Sequence, residues 1–123
     1  MTKTLVTELK SEEARTALAE ALLELFEQWG IHEINQSALL GMRDMARLKQ
    51  GQPLPANENV LERAGQILAI ERILARLYPN QARRQTDWIF TANPRLGGVP
   101  PINLMLEGLE GINRVRDHLE SLL

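Results

Sequence analysis

The fold is decided by the stretch Trp88-Ile-Phe-Thr-Ala-Asn-Pro-Arg-Leu-Gly-Gly-Val-Pro-Pro101. Asn93-Pro94 ends a helix, because a proline disfavours the helical conformation at the residue before it. We expect Leu96 to fold back as an apolar plug, and Gly97-Gly98 to let the backbone turn sharply. Pro101 suits the first turn of a following helix, where its missing N–H costs nothing. The stretch therefore predicts a rigid connector between two helices.

Helical patterns cover the rest of the chain. Apolar residues recur at helical spacing over 11–29, where Ser11 fits a helix start, and over a long central helix that Asn57 or Asn59 caps and that ends at Tyr78. Aromatic residues make up only 4% of the chain and no strand pattern or repeat occurs, so we predict an all-α fold. Shorter helices are predicted at about 31–40, 42–49, 81–91, 101–106 and 109–122. The natural division is a front region, 1–55, and a back region, 57–123, which share the long helix.

Composition limits the possible classes of protein. The chain has 123 residues, 44% of them hydrophobic, which fits one domain or two very small helical ones. It has no cysteine, which excludes disulfides, thiolate metal sites and cysteine nucleophiles. Neither a signal peptide nor a membrane span is visible, so we expect a cytoplasmic protein with no membrane partner.

Charge is unevenly distributed along the chain. The net charge of −2 argues against nonspecific binding of polyanions by the whole molecule. Residues 61–90, however, hold five arginines against three acidic residues, which is a local excess of +2. One local basic face is therefore possible.

The front region contains a candidate helix-turn-helix unit. Ser37-Ala-Leu-Leu-Gly41 places a small residue four positions before a glycine, between two short helices. The small residue would let the helices approach closely, and the glycine would permit a left-handed turn. The alternative is an ordinary helical hairpin with a solvated charged face. The polar side chains that follow the turn are candidates for contact with a DNA major groove: Arg43, Arg47, Lys49 and Gln50.

Residues suited to catalysis are few. His32 and His118 lie in different regions, the first expected at a helix start and the second on the solvent side of the last helix. No His-x-x-x-His spacing occurs, and Glu12-Glu13 fits a helix N-terminus better than an acid–base pair. We therefore predict that the chain is not an enzyme and has no metal site or cofactor.

Taken together, these motifs resemble the MbcA/ParS/Xre antitoxin family. The back region carries the pattern Trp88, Asn93-Pro94-x-Leu-Gly-Gly-x-x-Pro101 and Glu107-Gly-x-Glu-Gly111. The front region is similar to the helix-turn-helix portion of the Xre-like members, at Trp29-Gly30 and Leu39-Leu40-Gly41. In one departure, this chain has Pro100 where the family usually has Ser or Thr, so we expect the local turn to differ.

The resemblance implies an antitoxin that binds and inhibits a cognate toxin, most often of the RES type, which destroys NAD. Such antitoxins often form a homodimer and repress their own promoter by binding operator DNA. A stand-alone helix-turn-helix transcriptional regulator without a toxin partner is the alternative. The resemblance implies a toxin-binding motif made of Trp88, Asn93, Pro94, Leu96, Gly97, Gly98 and Pro101. By position on the last helix, Arg114, Asp117, Leu122 and Leu123 are expected at the same interface, with Asn113 and Arg116 as further candidates.

Overall fold

The computed structural model describes residues 11–123. Within this part of the chain there are seven α-helices and no sheet, which confirms the all-α prediction. The helices are α1 (Glu12–Trp29), α2 (Glu33–Leu40), α3 (Ala46–Lys49), α4 (Glu58–Leu77), α5 (Ala82–Phe90), α6 (Pro101–Glu107) and α7 (Leu109–Ser121). A 3₁₀ turn, Pro94–Leu96, lies between α5 and α6. The first ten residues of the predicted front region, on which the expected absence of a signal peptide depends, lie outside the described residues.

Side-chain caps fix where the two long helices begin. The hydroxyl oxygen of Ser11 accepts a hydrogen bond from the N–H of Ala14 at 3.1 Å, and α1 begins there. The side chain of Asn57 accepts the N–H of Val60 at 3.1 Å in the same way, at the start of α4. Each cap satisfies a backbone donor that the first helical turn leaves free. The predicted starts of both helices are confirmed.

One helix is shorter than the sequence predicted. The pattern predicted a helix over 42–49, but α3 has only the four residues Ala46–Lys49. The carboxylate of Asp44 accepts the N–H of Ala46 at 3.0 Å, and this local turn competes with helical hydrogen bonding before it. The spacing also predicted that Met42, Met45 and Leu48 face inward. Met45 and Leu48 are buried, whereas Met42 is only partly buried.

The helix α4 lies at the centre of the core. It packs against α1, α2, α5 and α7. This position explains why its apolar arc is wider than one buried face requires. Its buried side chains are Val60, Ala64, Ile67, Ile70, Ile73 and Leu74. One buried cluster contains side chains from both predicted regions, including Leu54 in the loop between α3 and α4. Within residues 11–123, no helix is long and apolar enough to cross a membrane.

Candidate functional site

Asn93 organises the connector between α5 and α6. Its backbone N–H donates to the carbonyl of Val99 at 3.1 Å, and its own carbonyl accepts the N–H groups of Leu96 and Gly98 at 3.0 and 2.9 Å. Its side-chain oxygen accepts the N–H of Arg95 at 2.9 Å. Leu96 is buried in the core. A single residue thus closes the loop by four hydrogen bonds, and the prediction of a connector with an apolar plug is confirmed.

The two glycines of the connector are needed because their backbone is left-handed, and not because a side chain would clash with neighbouring atoms. Gly97 and Gly98 have φ values of +82° and +80°, and a Cβ on either would meet no atom within 4 Å. This left-handed region strains any residue with a side chain. Pro100 stands in extended conformation, and α6 begins at Pro101 as predicted. The departure from the family pattern at Pro100 therefore leaves the start of this helix in place.

Replacing Asn93 by alanine is expected to lower the free energy of unfolding by about 1 kcal/mol, because the turn loses the side-chain acceptor for the N–H of Arg95. Asn93→Asp keeps that acceptor and is the matched control. Urea denaturation of both variants measures the difference. If Asn93→Ala proved as stable as the natural protein, the side chain would have no role in closing the connector.

The helix α7 approaches α6 more closely than any side chain would allow. A Cβ at residue 111 would overlap the carbonyl oxygen of Leu104 and lie 2.7 Å from its carbonyl carbon. Gly111 is buried, and Gly108, with a φ of +135°, makes the turn between the two helices. The resemblance included Gly111, but sequence reasoning did not place it among the site residues. Besides that resemblance, the signal in the sequence was a glycine inside an otherwise regular helical pattern.

The last helix has a buried face and an exposed face. Ile112, Val115 and Leu119 are fully buried and anchor it to the core. Arg114 and Asp117 are exposed, and their side chains make no hydrogen bond or ion pair within the described residues. These two side chains are therefore free to contact a partner.

Arg116 differs from the other candidates on α7. Its guanidinium donates to the carboxylate of Glu120 at 2.8 and 3.1 Å, and to the side-chain oxygen of Gln66 on α4 at 2.6 Å. Asn113 is only partly exposed. The structure thus separates Arg116, which ties α7 to α4, from the free pair on the exposed face.

The structure corrects the expectation for His118. Its ring does not lie on the solvent side but is partly buried and stacked on Trp88, with the ring centroids 6.2 Å apart and 14° between the planes. This contact joins α5 to the last turn of α7. Leu122 follows one helical turn later, and it and Leu123 are 47% and 55% exposed. The structure therefore brings two parts of the predicted site, Trp88 and the chain's apolar end, to the same region.

The front region has the predicted left-handed turn at the end of α2. Ser37 is buried and its hydroxyl donates to the carbonyl of Ile34 at 3.0 Å, while Gly41 ends α2 with a φ of +70°. His32 caps the start of α2, as expected. The guanidinium of Arg63 lies against this turn, and a Cβ at Gly41 would be 3.2 Å from it.

The candidate DNA contacts are exposed but do not all lie on one helix. Arg47 and Lys49 belong to α3, whereas Arg43 precedes it and Gln50 follows its last residue. Lys49 forms an ion pair with Glu33 on α2 at 3.1 Å. A single helical turn offers fewer base-reading positions than the recognition helix that the sequence predicted.

Residues 11–123 contain no group of three histidine, aspartate or glutamate side chains arranged to hold a metal ion.

The back of the chain matches a known domain family. Residues 73–123 match the model of the antitoxin Xre/MbcA/ParS C-terminal toxin-binding domain, from the last turn of α4 through the connector to the end of α7. No curated protein matches the chain. The residues that carried the resemblance in the sequence lie largely within the matched range, and their hydrogen bonds and close packing build its connector and its helix pair. Residues 73–123 are therefore similar to the C-terminal toxin-binding domain of the Xre/MbcA/ParS antitoxins.

Proposed function

We propose that this protein is an antitoxin that binds and inhibits a cognate toxin through the surface of residues 73–123. The observation that carries the proposal is the match of this range to a toxin-binding domain. The exposed groups of α7 support it, because Arg114 and Asp117 have no partner within the described residues, and Leu122 and Leu123 leave large apolar side chains uncovered. Interfaces combine apolar anchors with a charged rim in this way.

The fold explains how such a surface would be held in place. The connector at Asn93 fixes the start of α6, and the close approach at Gly111 fixes α7 against it. The exposed face of α7 is thus presented on a rigid support, which reduces the entropy lost on binding. The protein acts by covering the toxin, and we propose no catalytic step of its own.

The finer identity of the toxin rests on the family resemblance. We propose a RES-type toxin that degrades NAD, whose active-site entrance the back region of this chain blocks. We also propose a homodimer that represses its own promoter. Its contacts with operator DNA would involve Arg43, Arg47, Lys49 and Gln50, which are all exposed.

Co-expression tests the toxin-binding proposal. The protein encoded by the adjacent reading frame is produced alone and together with this chain, and growth and co-purification are measured. We expect the neighbour alone to stop growth, and this chain to restore it and to co-purify with the neighbour. A neighbour that stays toxic and fails to co-purify, while this chain is produced in folded form, would contradict the proposal.

A gel shift on the upstream DNA tests the second role separately. Phosphate contacts predict binding that weakens steeply as salt rises. No shift at low salt, with growth rescue intact, would leave a toxin binder without the DNA role. A shift without rescue would instead favour the stand-alone regulator.

A further inference from the structure

We propose that the outward face of α5 forms a second part of the toxin-binding surface and contacts an apolar patch of the toxin that is rimmed by carboxylates. This α5 face consists of Arg83, Arg84, Asp87 and Phe90. The inference rests on the proposed function. None of these four residues belongs to the site predicted from the sequence.

Helical geometry places the four side chains together. At about 100° per residue, Phe90, Arg83 and Asp87 fall within an arc of about 60°, and Arg84 extends that arc to about 120°. All four are exposed. Gln85 and Ile89, on the opposite side of the helix, are buried. The helix thus turns its core-facing side inward and leaves the α5 face uncovered within the described residues.

Phe90 is the apolar element of this face. It is 44% exposed, although the neighbouring Ile89 is fully buried. Among residues 11–123 the large exposed hydrophobic residues are Ile34, Phe90, Leu122 and Leu123. Three of these four lie within the matched toxin-binding range, and Leu122 and Leu123 are part of the interface proposed above. An exposed aromatic side chain in the same domain is a natural binding anchor.

The two arginines supply unneutralised positive charge. Neither forms an ion pair within the described residues. Arg84 is held in place by a hydrogen bond to the side chain of Gln81 at 3.2 Å and lies 5.7 Å from the centroid of the Tyr78 ring. A guanidinium positioned in this way loses less entropy when it binds, and its planar fork matches a carboxylate. The face therefore fits an acidic partner.

Three features favour a protein over a nucleic acid as the occupant. With Asp87 beside the two arginines, the face has a net charge of only +1, whereas binding along a phosphate backbone needs several cations in a row. The chain as a whole carries a net charge of −2. Phe90 adds an apolar surface that a duplex backbone does not match. Arginine beside an aromatic residue is instead the composition typical of energetically important positions in protein interfaces.

The α5 face is also continuous with the site on α7. Arg84 and Trp88 are neighbours at i and i+4 on the same helix. Trp88 stacks on His118, which lies one turn before the exposed Leu122. The surface therefore runs from Arg84 across the stacked rings to the end of α7, so that one partner can contact both parts at once.

Single substitutions in the full-length chain test the inference, with the toxic product of the adjacent reading frame as the probe. We expect Arg83→Glu and Phe90→Ala each to weaken its binding roughly tenfold or more. Both positions are exposed, and a glutamate in the first turn of α5 also suits the helix dipole. The matched control is Arg72→Glu, the same charge change at an exposed position of α4 outside the matched range. We expect it to change affinity less than about twofold.

The outcomes separate the two proposals. If the natural chain does not bind the probe, the proposed function fails. If the natural chain binds and both α5 variants bind equally well, the inference about α5 is overturned while the proposed function stands. A 20-base-pair duplex titrated at low salt is the second probe. Loss of duplex binding in Arg83→Glu, with toxin binding unchanged, would assign the face to nucleic acid and also overturn the inference.

Discussion

Gly111→Ala is expected to lower the free energy of unfolding by about 3 kcal/mol or more, a large part of the stability of a small domain. The added methyl group would overlap the backbone carbonyl of Leu104. No side-chain movement can relieve this clash, so α6 and α7 must separate. That separation would open the buried face that holds Ile112 and Val115. Thermal unfolding would register the change as a melting temperature lower by roughly 10 °C.

Gly65→Ala is the matched control for this substitution. Gly65 lies inside the helix α4, is exposed, and would place a Cβ with no atom within 4 Å. Alanine at such a position should stabilise the protein by about 0.5–1 kcal/mol. Replacing glycine by alanine is thus expected to lower the free energy of unfolding at residue 111 and to raise it at residue 65. Equal melting temperatures for the two variants would show that α6 and α7 are not packed as closely as described.

The second large effect concerns binding rather than folding. Replacing Leu122 and Leu123 by serine, together with Arg114→Glu and Asp117→Arg, should weaken toxin binding by roughly a hundredfold or more. The free energy of unfolding should change by less than about 1 kcal/mol, because all four side chains are exposed and unpartnered within the described residues. The charge exchange also leaves the net charge unchanged. Growth rescue reports binding, and urea denaturation reports stability.

This variant tests the surface more sharply than removal of the last helix. Deleting residues 109–123 would also remove the buried Ile112, Val115 and Leu119, so loss of binding could reflect an unfolded core. In the four-site variant, full rescue with unchanged stability would exclude the exposed face of α7 from the interface. Loss of both rescue and stability would show instead that these side chains support the fold.

Local features of the fold could be predicted from the sequence. The caps at Ser11 and Asn57 and the connector at Asn93 depend on residues within a few positions of one another. Hydrophobic spacing also placed Ile112, Val115 and Leu119 on one face of α7, and all three are buried, but Leu122, which the spacing put on the same face, is 47% exposed. These interactions act over about one helical turn, so residues close together in the sequence are enough to predict them.

Features that depend on distant parts of the chain were not predictable. The stack of His118 on Trp88 joins residues of two helices, and no periodicity within one helix indicates it. The same holds for Arg116, which the sequence placed at an interface and the structure ties to Gln66. The short α3 shows a different limit, because Asp44 forms a local turn just before Ala46, where the apolar pattern had predicted a helix.

The exposed residues are the least predictable part of the site. Sequence reasoning selected Arg114 and Asp117 by position, and the structure adds that neither has a partner within residues 11–123. Phe90 was not predicted to be exposed, because a phenylalanine next to Ile89 in a helix is usually buried in the core. Only the packing of α5 against its neighbours decides which of the two side chains faces outward.

We propose that residues 73–123 present a surface that binds a toxin. Calorimetric titration of the full-length chain into the purified toxic product of the adjacent reading frame tests it most directly. We predict saturable binding with a Kd below about 1 μM, as for a stable protein interface, and a large loss of affinity in the four-site α7 variant. Absence of binding at tens of micromolar, with both proteins folded, would contradict the claim.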